Sequence, residues 1–433
     1  MKRTSLFRIL ILTGVVAMSG CAAEVAGTED DAADVGEADL AAMVDRFSSA
    51  IRTPLEGGLA QYTVILPVGP GSTERIRLQR IVRESAPWRP VTTRGAAVWM
   101  HGDFANFDTN FGGSRPSLAT YLADRNIDVW GIDRRWTLLP SDATDLSSLT
   151  DQGYKVGLAD TRIALAAIRA IRAATGQGNG GVVLGGFSRG AHFAYAYAGA
   201  EASRPRASRH VNAIVPIDIY ARVDPAETQI IAGACARAED QYAQIAAGTV
   251  ESDNLFFSDL GAFAASAPDD PSPILPPYTN RGAFLWVAGQ TYQFFRPTPL
   301  YHLAATVLED GVSVSARLSP ENRLTKWFAG APRWQSLRES ADGDALWCGT
   351  NPPIDDHIGD IRLPILYVGG KGGFGDYGRY TLTRTASTDA RAIVVSAGGD
   401  VASDTGHGDL LFGRNAASES WAAIAAFVRE QSR

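Results

Sequence analysis

A serine in the stretch GVVLGGFSRG, residues 181–190, has the surroundings that point most directly to chemistry. The apolar run before it indicates a strand, and the alanine-rich segment after it indicates a helix. Gly186 and Gly190 flank Ser188 in a G-x-S-x-G pattern, which places a serine on a sharp strand-to-helix turn. A serine hydroxyl is a weak nucleophile until a base takes its proton. The pattern therefore predicts a nucleophile at Ser188 that needs a histidine elsewhere in the chain.

The elements that must position this serine follow from the hydrophobic patterns around it. Strand patterns at 58–68 and 74–84 surround a Gly-Pro-Gly turn, and their alternation predicts an antiparallel pair with one face in water. From residue 96 to 220, strand patterns alternate with helical ones, which is typical of a parallel sheet with helices on both faces. The alternation resumes only at 362–370 and 390–399. We therefore predict an α/β core over 53–220 and 361–433, with an inserted cap over 221–360.

Four motifs, in the order in which they occur along the chain, resemble motifs of the α/β-hydrolase superfamily. Proteins of this superfamily have a mostly parallel central sheet flanked by helices. Beside the serine motif, WMHGDF (99–104) resembles the His-Gly loop of lipases and esterases. SLATYLADRNIDVWGIDRRW (117–136) and GHGDLLFG (406–413) resemble segments of the acid-lipase branch. The resemblance covers nearly everything outside residues 1–55 and the cap. It implies a serine hydrolase that is similar to esterases and lipases.

The resemblance also implies which residues assist Ser188. Of the six histidines, His407 lies in a glycine-rich loop after the last strand, where the superfamily has its base. Asp376 follows the strand at 362–370, the usual position of the acid that orients the histidine. Asp218, at the end of the strand pattern at 211–220, is the alternative, because some members carry the acid there.

The oxyanion hole is expected to consist of two backbone N–H groups. One belongs to Arg189, directly after the serine, and the other to Asp103 in the His-Gly loop, with Phe104 as the fallback. The carboxylate of Asp103 is unusual beside a developing negative charge. Arg189 and the pair Arg134 and Arg135 are candidates to offset it, and a solvated surface position is the alternative for these arginines.

The N-terminus resembles an export signal. Basic residues precede an apolar run at 9–18 that is too short to span a bilayer, so residues 1–20 are predicted to be a signal peptide. The run ends in Met18-Ser19-Gly20-Cys21, which resembles the lipobox of bacterial lipoproteins and implies lipidation of Cys21. An ordinary cleaved signal peptide is the alternative, and both predict export. Residues 21–52 are acidic and rich in alanine, which predicts a disordered tether to a membrane.

Two further cysteines remain, Cys235 and Cys348, near the two ends of the predicted cap. In an oxidising compartment they are a candidate disulfide, and two unpaired buried thiols are the alternative. The net charge of −7, with no basic run after the first eight residues, argues against a nucleic-acid partner. No metal or organic cofactor is implied, because no cluster has metal-ligand spacing.

The predicted reaction is hydrolysis of carboxylic esters through an acyl-enzyme. The cap is rich in aromatic side chains, in clusters at 254–263, 284–295 and 326–334, which favours a small-molecule or lipid ester with an apolar group. An amidase or peptidase using the same residues is an alternative. A surface-binding lipoprotein without turnover is the alternative from another class of function.

Overall fold

The computed structural model of the chain describes residues 37–47, 49–112, 115–293, 301–350 and 357–432. The predicted signal peptide, Cys21 and the first part of the predicted tether lie outside the described residues, as do two aromatic residues of the cap, Phe294 and Phe295. Among the described residues, no helix is both long and apolar enough to cross a membrane.

A central sheet organises the fold. Its buried strands are short apolar runs, and further strands lie at its edge or in the cap. In chain order the strands are β1 Ile51–Leu55, β2 Leu59–Pro67, β3 Arg75–Ala86, β4 Arg89–Pro90, β5 Ala96–Met100, β6 Asp128–Asp133, β7 Val182–Phe187, β8 Val211–Ile217, β9 Glu251–Asp253, β10 Thr306–Glu309, β11 Val312–Ala316, β12 Trp334–Ser336, β13 Ile365–Gly370 and β14 Ala390–Val395. The sheet order is β1-β2-β3-β6-β5-β7-β8-β13-β14, with β4 on β3. From β6 through β5, β7, β8 and β13 to β14, successive strands are parallel, whereas β1, β2 and β3 pair in antiparallel fashion with each other and with β6.

Helices cover both faces of this sheet. In chain order they are α1 Glu37–Phe47, α2 Phe107–Asn110, α3 Leu118–Ala123, α4 Tyr154–Ala174, α5 Arg189–Ala202, α6 Thr228–Ala246, α7 Leu255–Ser266, α8 Asn280–Gly289, α9 Glu321–Ala329, α10 Leu337–Cys348, α11 Tyr377–Thr383, α12 Asp409–Phe412 and α13 Ala422–Glu430. Along β7, Val183 and Phe187 belong to one apolar core, and Val182 and Leu184 belong to a second one. Because successive side chains of a strand point to opposite faces, these are the cores on the two sides of the sheet. The predicted fold class, a mostly parallel sheet flanked by helices, is confirmed.

The sequence prediction of a disordered tether as far as residue 52 is wrong for its last part. Residues 37–47 form α1, and β1 begins at Ile51. The ring of Phe47 lies 5.6 Å from that of Tyr62 and 5.9 Å from that of Trp130, so α1 packs on the core. Met43 and Val44 add to this contact. A short apolar stripe hidden among alanines and acids is enough to hold the helix against the sheet.

The predicted solvated face of the antiparallel edge is also wrong for β3. Arg80 is fully buried, and its Nε and Nη2 donate to the Asp128 carboxylate at 2.7 and 3.0 Å. Its guanidinium lies over the ring of Trp130, and Arg172 of α4 approaches the same carboxylate. A buried charge is tolerated when it is paired in this way, so an arginine in an alternating strand did not indicate solvent.

The segment between β8 and β13 is an insertion, since these two strands are neighbours in the sheet. It contains α6 to α10, the hairpin β10-β11 and the pair β9-β12. Its helices α6 and α10 pack against each other, and Cys235 of α6 forms a disulfide with Cys348 of α10. The structure thus contains the disulfide that the sequence allowed, and it joins the two ends of the insertion.

Candidate active site

Ser188 lies on a strained turn between β7 and α5. Its φ of 56° and ψ of −128° are unusual for a residue with a side chain. The flanking glycines make the turn sterically feasible: a Cβ on Gly186 would overlap the backbone of Gly190, and one on Gly190 would overlap the carbonyl oxygen of Met100. The serine is therefore presented, partly exposed, at the carboxyl end of the sheet and at the N-terminus of α5.

His407 and Asp218 form a hydrogen-bonded pair at the same edge. The Nδ1 of His407 lies 2.7 Å from an oxygen of Asp218, and both side chains are buried. Asp218 directly follows β8, whose last residue Ile217 is paired with Phe187 of β7. The His407 ring stacks on the ring of Phe187, the residue before Ser188, with centroids 4.2 Å apart. The fold thus brings Ser188, His407 and Asp218 to one place.

A glycine-rich loop holds the carboxylate of Asp218. One oxygen accepts the N–H groups of Gly370 at 2.8 Å and Gly375 at 3.1 Å, and the other accepts that of Phe374 at 3.1 Å. A Cβ on Gly373 would overlap this carboxylate, so the loop comes this close only because that position is glycine. Together with the Nδ1 of His407, these N–H groups give the carboxylate four hydrogen-bond partners that hold its orientation.

Asp376, the predicted partner of His407, lies elsewhere. Its carboxylate accepts from Lys371 at 2.6 Å and from Arg379 at 2.9 Å, and about half of its side chain is exposed. The carboxylate that pairs with His407 is therefore that of Asp218, the alternative in the sequence analysis, and not that of Asp376. The loop after β13 supplies backbone N–H donors to the carboxylate instead of the carboxylate itself. Two features of the sequence are consistent with this: the loop is rich in glycine, and the basic residues Lys371 and Arg379 lie close to Asp376 in the chain.

Residues 101–104, here called the oxyanion loop after the sequence prediction, lie against Ser188. A Cβ on Gly102 would stand 3.1 Å from the Cβ of Ser188. The N–H of Phe104, the fallback donor of the sequence prediction, donates to the side chain of Gln335 at 2.9 Å. This N–H is therefore occupied, which favours Asp103 as the donor from this loop. Gln335 comes from the insertion and was not a candidate in the sequence.

The carboxylate of Asp103 has partners that offset its charge. It accepts from the Nε2 of Gln335 at 2.7 Å and lies 3.3 Å from the Nε of Arg189. Arg189 is buried, with its guanidinium 4.7 Å from the ring of Trp347. Arg189 is thus the arginine that contacts Asp103, and the solvated alternative does not hold for it. Arg135 instead pairs with Asp160 at 2.6 Å.

Arg134 holds the oxyanion loop from behind. Its Nη2 donates to the carbonyl oxygens of His101 and Gly102, and its Nη1 donates to Glu339 of α10 at 2.6 Å. Burial and the nearby Arg134 charge hold the pKa of His101 well below its ordinary value, so this imidazole is neutral and structural. Burial raises the pKa of Glu339 to about 7 although Arg134 acts in the opposite direction.

No family model matches this chain, and no curated protein does. Among solved structures, a protein from Sulfolobus solfataricus provisionally assigned as a lipase is similar in shape, with a TM-score of 0.59 over 88% of this chain and 98% of that chain at 16% identity. The chain has the α/β-hydrolase fold. A soluble variant of monoglyceride lipase from Saccharomyces cerevisiae covers 88% of this chain and 95% of its own, with a TM-score of 0.48 and 10% identity, and adds no further argument.

In this α/β-hydrolase fold some cap aromatics contact the oxyanion loop directly and others lie deeper in the core. The ring of Phe257 stacks on that of Phe104 in the oxyanion loop at 4.1 Å, and Trp327 lies 6.2 Å from the same ring. Phe284 and Phe328, by contrast, pack on each other inside the insertion. Part of the aromatic content therefore belongs to the apolar core on one face of the sheet, and part of it contacts the oxyanion loop.

A surface cavity of about 440 Å³ borders the loop that holds Asp218. Its walls include Tyr220, Lys371, Gly373 and Asp376, but neither the nucleophile candidate nor His407 lines it. It is therefore not the place where a carbonyl would meet the serine.

Proposed function

We propose that this chain is a serine hydrolase that cleaves carboxylic esters with apolar groups through an acyl-enzyme intermediate. The observation that carries the proposal is the contact of 2.7 Å between His407 and Asp218, beside a serine with a φ of 56° at the same sheet edge. A serine needs a base to become a nucleophile, and a carboxylate that fixes the tautomer of the base supports this role for His407.

In the proposed reaction, His407 takes the proton of Ser188 while the serine attacks the carbonyl carbon. The new oxyanion accepts hydrogen bonds from the backbone N–H groups of Asp103 and Arg189. His407 then passes the proton to the leaving alcohol, and the acyl group stays on the serine. A water molecule deprotonated by His407 hydrolyses this ester and regenerates the enzyme. The side chain of Asp218 holds the imidazole in place and stabilises the imidazolium in both steps.

A fluorophosphonate probe, which reacts with activated serines, tests the proposal. We expect labelling of the wild type, no labelling of Ser188→Ala, and undiminished labelling of Ser203→Ala. Ser203 is the matched control because it is exposed, caps the far end of α5, and its hydroxyl donates to the Ala200 carbonyl oxygen at 3.1 Å. Absence of labelling in the wild type, or equal labelling of Ser188→Ala, contradicts the proposal.

The preference for apolar substrates rests on Phe104, Phe257 and Trp327 at the oxyanion loop. We expect kcat/KM for p-nitrophenyl esters to rise from acetate to longer acyl chains, because apolar surface leaves water on binding. The control is the succinate ester, similar in length to butyrate but charged. A preference for succinate over butyrate contradicts the apolar assignment.

Export and lipid anchoring through Cys21 are part of the proposal and rest on the sequence motif alone. Lipidation should add the mass of the lipid to a peptide that begins at Cys21, as measured by mass spectrometry of the membrane fraction. Cys21→Ala should release the protein from that fraction. A peptide that still contains residues 1–20, or an unmodified Cys21 in the membrane fraction, contradicts it.

A further inference from the structure

The side chain of Gln335 connects the insertion to the oxyanion loop. It belongs to β12, and only 3% of it is exposed. Its backbone is fixed by the pairing of β12 with β9, and the next residue, Ser336, donates its hydroxyl to the Leu149 carbonyl oxygen at 3.0 Å. The amide is therefore held at a defined place and is not a mobile surface group.

Both ends of the amide are used on adjacent residues. Its oxygen accepts the N–H of Phe104 at 2.9 Å, and its nitrogen donates to the carboxylate of Asp103 at 2.7 Å. The two partners decide the orientation of the amide, because a backbone N–H requires the oxygen and a carboxylate requires the nitrogen. An amide at this position offers a donor and an acceptor together, which neither a carboxylate nor an apolar side chain does.

The conformation that Gln335 holds is one that the loop would rarely adopt alone. Phe104 has a φ of 41°, a region that disfavours residues with side chains. Such a conformation persists only where the surroundings hold it. Here the surroundings are the bond from Phe104 to Gln335 and the stack of Phe257 on the Phe104 ring, and both come from the insertion.

The same contacts decide which N–H groups can face an oxyanion. Gln335 occupies the N–H of Phe104 and thereby removes it from competition with that of Asp103. It also holds the Asp103 carboxylate at a point where Arg189 lies 3.3 Å away, which offsets a negative charge beside the site. Correct aim of an oxyanion donor matters because it acts in the transition state more than in the ground state.

We propose that Gln335 is a positioning residue that sets the oxyanion hole from the insertion. It acts through the loop and does not touch the substrate. This inference rests on the proposed function, and it adds that the insertion takes part in transition-state stabilisation as well as in substrate binding.

Two variants of Gln335 test the inference on the full chain. Gln335→Met keeps the length and removes both bonds; Gln335→Glu keeps an acceptor for Phe104 but places a second carboxylate against Asp103. For both we expect kcat on p-nitrophenyl butyrate to fall about 10- to 100-fold with KM changed less than about threefold, somewhat less than removal of an oxyanion donor itself. Affinity for a trifluoromethyl ketone, whose serine adduct carries the oxyanion, should fall in the same proportion as kcat/KM.

A rescue separates positioning from a loss of packing. Adding Asp103→Asn to Gln335→Glu removes the repulsion and lets the new amide donate to the new carboxylate. We expect the double variant to regain about tenfold in kcat over Gln335→Glu alone, which is a coupling between the two side chains. A double variant no faster than Gln335→Glu contradicts the inference.

Gln290→Met is the matched control. Gln290 is also a buried amide of the insertion, 4% exposed, and its Nε2 donates to the Gly311 carbonyl oxygen at 3.1 Å. We expect a lower melting temperature but an unchanged kcat.

Two outcomes overturn the inference alone while the wild type is active. In the first, Gln290→Met loses as much kcat as Gln335→Met. In the second, Gln335→Met keeps kcat and ketone affinity within threefold. If the wild type neither hydrolyses esters nor reacts with the fluorophosphonate, the proposed function fails and the inference fails with it. If Gln335→Met does not fold, Gln335→Glu and its rescue decide the question.

Discussion

Replacing Asp218 by asparagine is expected to abolish turnover in a protein that still folds. The carboxylate accepts two backbone N–H groups on one oxygen, and Phe374 and His407 on the other. Asparagine keeps the first oxygen and replaces the second with an NH2 group. That group faces the N–H of Phe374 and the Nδ1 of His407. The imidazole can adapt by accepting at Nδ1, which puts its proton on Nε2, the atom that should take the serine proton.

The magnitude follows from these contacts. A histidine in the wrong tautomer lowers kcat about 10⁴-fold in the serine-protease case, and we expect a fall of the same order here. That corresponds to about 5.5 kcal/mol of lost transition-state stabilisation. Only the N–H of Phe374 loses its acceptor, so the free energy of unfolding should fall by about 1–3 kcal/mol. Activity and stability should therefore separate clearly in Asp218→Asn.

The assay is kcat on a saturating p-nitrophenyl ester, with urea denaturation on the same preparations. Asp376→Asn is the control, because it makes the same chemical change in an exposed carboxylate paired with Lys371 and Arg379. We expect that control to keep kcat within twofold and to lose at most about 1 kcal/mol of stability. A collapse of kcat in Asp376→Asn, or an Asp218→Asn within tenfold of the wild type, refutes the reasoning.

Three further predictions concern the frame around the site. Burial raises the Glu339 pKa from 4.5 to about 7, so between these pH values the folded state keeps a proton that the unfolded state releases. The contribution of Glu339 to the free energy of unfolding should therefore fall by about 3 kcal/mol as the pH rises from 4.5 to 7. Urea denaturation at a series of pH values should show this slope in the wild type and not in Glu339→Gln. Gly190→Ala should abolish esterase activity and soluble expression, since its Cβ would overlap the Met100 carbonyl oxygen. Cys235→Ser should lower the free energy of unfolding by about 2–4 kcal/mol, because the disulfide links residues 113 positions apart.

Each of these has its own control. Gly180→Ala adds the same methyl group where nothing lies within 4 Å, so its expression and activity should be unchanged. Wild type treated with a reducing agent should match Cys235→Ser in urea, and a stability unaffected by either treatment contradicts the disulfide. Parallel pH slopes in the wild type and Glu339→Gln contradict the buried proton.

Local patterns were enough to predict the sheet and the sharp turn that carries Ser188. The strand at β7 is an apolar run that ends in glycines, and both the run and the sharp turn after it are properties of neighbouring residues. Two local predictions failed where distant residues changed the environment. The alternation of β3 predicted a face in water, but Arg80 on that strand is buried against Asp128. The end of the predicted tether forms α1, because Phe47 packs on Tyr62.

The spacing of residues along the chain does not indicate which carboxylate pairs with His407 or which amide contacts the oxyanion loop. Asp218 and His407 are 189 positions apart, and which carboxylate reaches the histidine is decided by how the loop after β13 turns back across β8. Gln335 and Asp103 are 232 positions apart, and neither stands in a motif that names the other. A buried amide is recognisable only when its two partners are known.

The stretch from β12 to the end of α10 limits how this chain could be recombined. Within it, Gln335 reaches Asp103, Glu339 reaches Arg134, and Cys348 closes the disulfide. A chimera that kept the sheet but exchanged this stretch would leave a buried guanidinium without its carboxylate. An exchange of this segment therefore has to include the residues that it contacts, Asp103, Arg134 and Cys235.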